Sequence, residues 1–141
     1  MLNVTVHSLG ELTIFRCTGR ITFGYANTLL NAISKWPSRR VVVLDLAGVT
    51  QIDAAGIGTL VSVRKHAEAS GVALKLMNLT PRVEDLLELT RVRSTFAICS
   101  VPDMIEMLCC AIKKSQFVNV DAAENYDWAL DYSETVLARS A

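Results

Sequence analysis

The feature that most constrains this chain is the run Val41-Val42-Val43-Leu44-Asp45-Leu46. It is rich in β-branched residues, and apolar and polar positions do not alternate along it. A strand with one wet face reads with a period of two. A strand without alternation is buried on both faces, as in a parallel or mixed sheet with helices packed on it. The run therefore predicts an α/β layered domain rather than a bundle or an all-β sandwich.

The flanking sequence supplies the other layers. Val4 and Val6 alternate with polar residues, Ser8-Leu9-Gly10-Glu11 reads as a turn, and Leu12–Cys17 reads as a second strand ended by Gly19. Ala26, Leu29, Leu30 and Ile33 recur at helical spacing, and Pro37 stops that helix. A second helix is expected from Asp53–Ala55 to about Ser70, with Ile57, Leu60, Val61 and Ala67 toward the sheet and Gly71 just past its end. Val72–Met77 follows as a strand. Thr80 and Pro81 are an N-cap and first helical residue for a helix that carries Val83, Leu86 and Leu87. A short strand at Thr95–Ile98 and a helix opened by Pro102-Asp103, with Ile105, Leu108, Cys109 and Ile112 on one stripe, complete the order β-β-α-β-α-β-α-β-α. Parallel crossovers in such an order are expected to be right-handed.

Composition narrows the class. The formal net charge is zero, which gives no long-range field toward nucleic acid or anionic lipid. No apolar run approaches the ~20 residues that span a bilayer, and the start of the chain does not read as a secretion signal; a cytoplasmic protein without membrane insertion is the expectation. The cysteines Cys17, Cys99, Cys109 and Cys110 form no C-x-x-C pair. They read as small buried hydrophobes in a reducing compartment, with no metal site. His7 and His66 are the only histidines, and both read as surface residues rather than catalytic bases. No serine or cysteine is paired with a base by sequence logic, and no cofactor motif occurs, so no catalytic residue and no cofactor are expected.

The segment with functional content runs from Asp45 to Leu60. A buried strand ends in a polar, glycine-containing loop that turns into a helix. The free N–H groups of a helix start form a natural anion or partner site. Gly56 and Gly58 strip side chains from the first turn, and each costs roughly 1 kcal/mol relative to alanine inside a helix. Two within three residues imply a geometric demand. Asp45 and Asp53 flank the loop, and hydrogen bonding and helix capping are favoured for them over acid–base or Mg²⁺ chemistry.

Asp45-Leu46-Ala47-Gly48-Val49-Thr50-Gln51-Ile52-Asp53-Ala54-Ala55-Gly56-Ile57-Gly58-Thr59-Leu60 resembles the signature of STAS domains, the anti-sigma factor antagonist family. The likeness extends over about residues 3–112, with Gly19-Arg20-Ile21 and Asn78-Leu79-Thr80-Pro81 included. It implies a mixed, mainly parallel central sheet of about five strands with about four helices. It also implies a bacterial signalling or transcription regulator that is not an enzyme. In the family, a partner kinase of the GHKL serine-kinase type, which doubles as an anti-sigma factor, phosphorylates a serine or threonine two residues after the aspartate. The unmodified domain binds that kinase, and phosphate breaks the complex by adding about two negative charges.

The matching position here is Ala55, which has no hydroxyl to modify. Thr50 and Thr59 are the nearest hydroxyls and lie out of register, and Thr22 stands where antagonists often carry an acid. The expected docking residues are Asp53, Ala54, Ala55, Gly56, Ile57, Gly58 and Thr59, with no phosphorylation at Ala55. Two alternatives are a STAS subunit of a stressosome-like or lipid-transport ABC assembly, and a module that binds a small anionic ligand or nucleotide at the helix start. The domain is expected to span residues 1–113. Residues 114–141 are expected to form an acidic, aromatic extension, with a helix over Ala123–Ala138 that packs on its own domain, covers the partner surface, or exchanges between the subunits of a homodimer.

Overall fold

The structure is a computed structural model that describes residues 1–35 and 40–116. Ten-residue strand β2 (Leu12–Ile21) pairs antiparallel with β1 (Leu2–Leu9) and parallel with β3 (Val41–Ile52). Parallel strands β4 (Ala73–Met77) and β5 (Ala97–Cys99) complete a sheet in the order β1-β2-β3-β4-β5. Helices α1 (Ala26–Ser34), α2 (Ala54–Ala69) and α3 (Pro81–Leu89) connect successive parallel strands, and α4 (Val101–Gln116) follows β5.

This order dictates the layers. When each parallel strand is added on the same side of the last, crossovers of one hand place all the connecting helices on one face. Leu29 of α1, Ile57, Leu60 and Val63 of α2, and Val83 and Leu87 of α3 share one core cluster with Phe15, Val42, Leu44 and Leu46. Met104, Leu108, Ala111 and Ile112 of α4 form a second cluster with Ile14, Val43, Met77 and Cys99. The alternation Val42, Leu44, Leu46 against Val43 divides β3 between the two faces, as its unbroken apolar run requires.

The sequence reading holds for the element order and for the double burial of β3, with five corrections. Strand β2 continues through Gly19 to Ile21, because that glycine takes a left-handed φ of 105° inside the strand and leaves room for the Met1 carbonyl. Strand β3 does not end at Leu46 in a loop but runs on to Ile52, pairing with the extended β2 across two register shifts. Strand β5 sits at Ala97–Cys99, after a 3-10 turn at Arg93–Thr95. The buried stripe of α4 is Met104, Leu108, Ala111 and Ile112, so Cys109 faces solvent and Ile105 is only half-buried. Cys109 and Cys110 are exposed, whereas Cys17 and Cys99 are buried as expected. Pro37 and the extension beyond Gln116, with the boundary set at residue 113 and the helix expected at 123–138, lie outside the described residues or at their edge.

The helix boundaries follow local chemistry. The Thr80 hydroxyl accepts from the Val83 N–H at 3.4 Å, with Pro81 at the first helical position. Gly71, at φ 71°, provides the left-handed residue that follows the Ser70 cap of α2.

Candidate functional site

Beyond Asp45, β3 has lost its β4 partner and continues with β2 as a ribbon of Thr18–Ile21 against Gly48–Ile52, with β1 still paired to Thr18 and Gly19. Helix α2 begins on the end of this ribbon. A Cβ on Gly56 would overlap the Ile21 carbonyl oxygen and lie 2.8 Å from Ile52 Cγ1. Glycine is therefore what lets the helix start seat on the ribbon. Gly58 differs. It is exposed, and a Cβ there would meet nothing within 4 Å. Among the described residues, the geometric demand read from the two glycines thus belongs to Gly56 alone.

Asp53 fastens the site. Its Oδ1 accepts from the Gly56 N–H at 2.8 Å, and its Oδ2 accepts from the Phe23 N–H at 3.1 Å. One carboxylate thereby caps α2 and holds the connection between β2 and α1 against it. These backbone donors, Phe23 first, hold the Asp53 carboxyl below the ordinary aspartate value of 3.8. A depressed carboxyl contributes stability above its unfolded value and loses it as pH falls through the folded one. The stability difference between the wild-type chain and Asp53→Asn should accordingly be constant near neutrality and shrink as pH drops below 3.8. Urea unfolding across that range checks it; a difference independent of pH would refute the assignment.

Asp45 is fully buried. Its Oδ1 accepts from the Ala47 N–H at 3.0 Å and from Asn78 Nδ2 at 3.1 Å, and Oδ2 lies 3.8 Å from Arg16 Nε. It ties β3 to β4's end and to β2, which matches the hydrogen-bonding role favoured from sequence. An anion at the α2 start would meet the Asp53 carboxylate already bound there, which disfavours the anionic-ligand alternative. His7 is not the solvated surface residue expected. It is partly buried, and burial together with Arg16 lowers its pKa. Burial, with Asp45 second, pushes the Cys17 thiol up to about 12, so it stays a protonated core group. Among the described residues, no group of three or more His, Cys, Asp or Glu side chains could hold a metal.

The predicted residues 53–59 divide by exposure. Ala54 and Gly58 are exposed, Asp53 and Ala55 half-buried, and Gly56, Ile57 and Thr59 buried. The Thr59 hydroxyl donates to the Ala55 carbonyl at 3.0 Å, and the Thr50 hydroxyl donates to the Gly19 carbonyl at 3.1 Å. Both hydroxyls near the motif are thus engaged internally. Sequence reasoning missed three neighbours. Phe23 is 84% exposed, and Tyr25 is 40% exposed beside it. Ser62, one turn beyond Gly58, is exposed and helps line a cavity of about 260 Å³ between α1 and α2, with Leu30, Ile33, Val63 and His66. Phe23 and Tyr25 gave no periodic signal, since they lie in a connection rather than on a helical stripe.

Among the described residues, a mixed sheet with three helices on one face, one on the other, and a glycine-seated helix start at the end of its central ribbon defines a small α/β domain of the STAS type. The family model of the STAS domain matches residues 3–107, and the chain belongs to that family. A STAS-domain containing protein of Pseudomonas aeruginosa (strain UCBPP-PA14) is 30% identical over 89 residues, which are 62% of this chain and 87% of that protein. The fold is shared with an anti-sigma factor antagonist from Mycobacterium paratuberculosis, at TM-score 0.64, 18% identity, and coverage of 82% of this chain and 95% of that one. The crystal structure of Mglu matches at TM-score 0.52 and 29% identity over 56% of this chain, and this chain spans only 20% of the Mglu chain. Among the described residues, no helix is long and apolar enough to cross a membrane.

Proposed function

We propose that this chain is a non-catalytic docking domain of the anti-sigma factor antagonist class, and that it binds its partner with the start of α2. The docking surface comprises Asp53–Thr59, of which Ala54, Ala55 and Gly58 present the contact face, with Phe23 and Tyr25 as the apolar anchors beside them. The partner is a GHKL-type serine kinase that acts as an anti-sigma factor, and the pathway is cytoplasmic signalling to transcription. Ala55 offers no hydroxyl, and Thr50 and Thr59 are held in internal hydrogen bonds, so the complex is not released by phosphate at the motif.

The observation that carries this reading is Gly58. Glycine in a helix costs roughly 1 kcal/mol against alanine, yet among the described residues nothing needs the space at Gly58. A second protein backbone approaching the helix start would need it. Phe23, whose N–H bonds the Asp53 carboxylate, adds a large exposed apolar side chain next to the helix start, and aromatic anchors concentrate binding energy in interfaces.

Affinity capture from the native cell tests the proposal. The full-length wild-type chain should recover a GHKL-type ATPase, and Gly58→Arg, which fills open space without disturbing the core, should not. Equal recovery by both baits, or no such ATPase with either, would overturn it.

A further inference from the structure

The sheet has two edges, and they are built differently. β5 has three residues, follows the 3-10 turn at Arg93–Thr95 and is followed closely by α4. A strand so short offers little to a further chain. β1 has eight residues, paired with β2 in one unbroken register from Leu2 opposite Gly19 to Leu9 opposite Leu12. Among the described residues, no strand pairs with its outer side. Long open edges are normally guarded by a charge, a proline or a bulge. β1 contains no Asp, Glu, Lys, Arg or Pro, and its register has no shift.

The phase of the β1–β2 ladder determines which groups face outward. The Arg20 N–H donates to the Met1 carbonyl at 3.3 Å, and the Thr18 hydroxyl donates to the Asn3 carbonyl at 3.5 Å. In an antiparallel pair, alternate residues turn both backbone groups to the same neighbour. Asn3, Thr5, His7 and Leu9 therefore turn theirs to β2, and Leu2, Val4, Val6 and Ser8 turn theirs to the open edge. Val4 and Val6 are also half-buried, packed on the core that α1 shares, so the edge is apolar on that side. Asn3 and Thr5, on the other side, are exposed.

We propose that β1 pairs antiparallel with β1 of a second copy about a two-fold axis at Thr5, so that the two five-stranded sheets become one. The strand is self-complementary in this register. Leu2 lies opposite Ser8 of the second copy and Val4 opposite its Val6, and the reverse, so all the outward backbone groups find partners. The next in-phase register on either side leaves Ser8 or Leu2 of both copies over. The four valines meet on the α1 side and cover one another. Thr5 meets Thr5 on the α4 side, a favourable cross-strand pair. No carboxylate, lysine or arginine of one β1 strand is brought against its like on the other.

Sedimentation and cross-linking of the full chain test this. The wild-type chain should sediment as a dimer at micromolar concentration. Thr5→Lys, which sets two ammonium groups face to face at an exposed position, should sediment as a monomer with an unchanged circular-dichroism spectrum. For cross-linking, the exposed Cys109 and Cys110 are replaced by serine, while Cys17 and Cys99 are buried. In that background Thr5→Cys should link two copies under oxidised glutathione, because the facing Cα atoms of a non-hydrogen-bonded pair lie about 4.5 Å apart, within disulfide reach. Asn3→Cys should not, since the two copies of that residue lie about 13 Å apart at about 3.3 Å per strand residue. A monomer at every concentration would overturn the inference. So would a dimer that Thr5→Lys leaves intact, or equal linking by Asn3→Cys and Thr5→Cys, since the copies would then join by another surface or in another register.

Discussion

Replacing Gly56 by alanine should cost the domain roughly 3 kcal/mol or more, whereas the same replacement at Gly58 should stabilise it by about 0.5–1 kcal/mol. The two residues sit in the same helical turn and look equivalent in sequence. They differ in what a methyl group would meet. At Gly56 it overlaps the Ile21 carbonyl and crowds Ile52. Overpacking costs typically about 1–3 kcal/mol where side chains can yield, and a backbone carbonyl in a paired strand yields less. At Gly58 the methyl group enters open space, so only the backbone entropy of glycine changes, and it changes favourably. Urea unfolding of the two variants should show midpoints displaced in opposite directions. A loss at both positions, or a gain at both, would contradict the packing of α2 on the ribbon.

That contrast marks how far the sequence could be read. The run Val41–Leu46 identified its own environment, since a strand between two layers needs apolar residues on both sides. Pro81 and Gly71 likewise marked a helix start and end, because each satisfies a local conformational need that no distant residue changes. The ribbon was not legible. Thr18–Ile21 and Gly48–Ile52 contain glycine and polar residues and resemble loops. They are strands because they pair with each other across shifted register, which is a long-range fact. The exposure of Phe23 was hidden for the same reason, as was the bond from its N–H to Asp53, thirty residues away in sequence. The α4 stripe was missed by a smaller margin. Two helical stripes one residue apart both contain Leu108 and Ile112, and only the sheet beneath decides between Met104 with Ala111 and Ile105 with Cys109.

Ala55→Asp should weaken binding of the partner at least roughly a hundredfold while leaving the fold in place. Ala55 is the second residue of α2 and is half-buried in the free chain. A carboxylate there interacts favourably with the helix start by about 0.3–1 kcal/mol, and repulsion from Asp53 offsets part of that gain. Unfolding midpoints of Ala55→Asp and the wild type should therefore nearly coincide. At the docked surface nothing offsets the charge. An unpaired charge enclosed between two proteins costs about 3–5 kcal/mol, and each 1.4 kcal/mol is tenfold in affinity. Ala55→Ser separates charge from shape. It should bind the partner nearly as well as the wild type until kinase and ATP are supplied, and then lose affinity as Ala55→Asp does, because phosphoserine carries about two negative charges. The wild-type chain under the same treatment should keep its affinity and take up no phosphate on residues 50–59. Calorimetry with the purified kinase measures all three proteins. Full binding by Ala55→Asp would place the interface elsewhere on the domain, and a phosphopeptide containing Thr50 or Thr59 would mean that an internal hydrogen bond is too weak to shield a hydroxyl from the kinase.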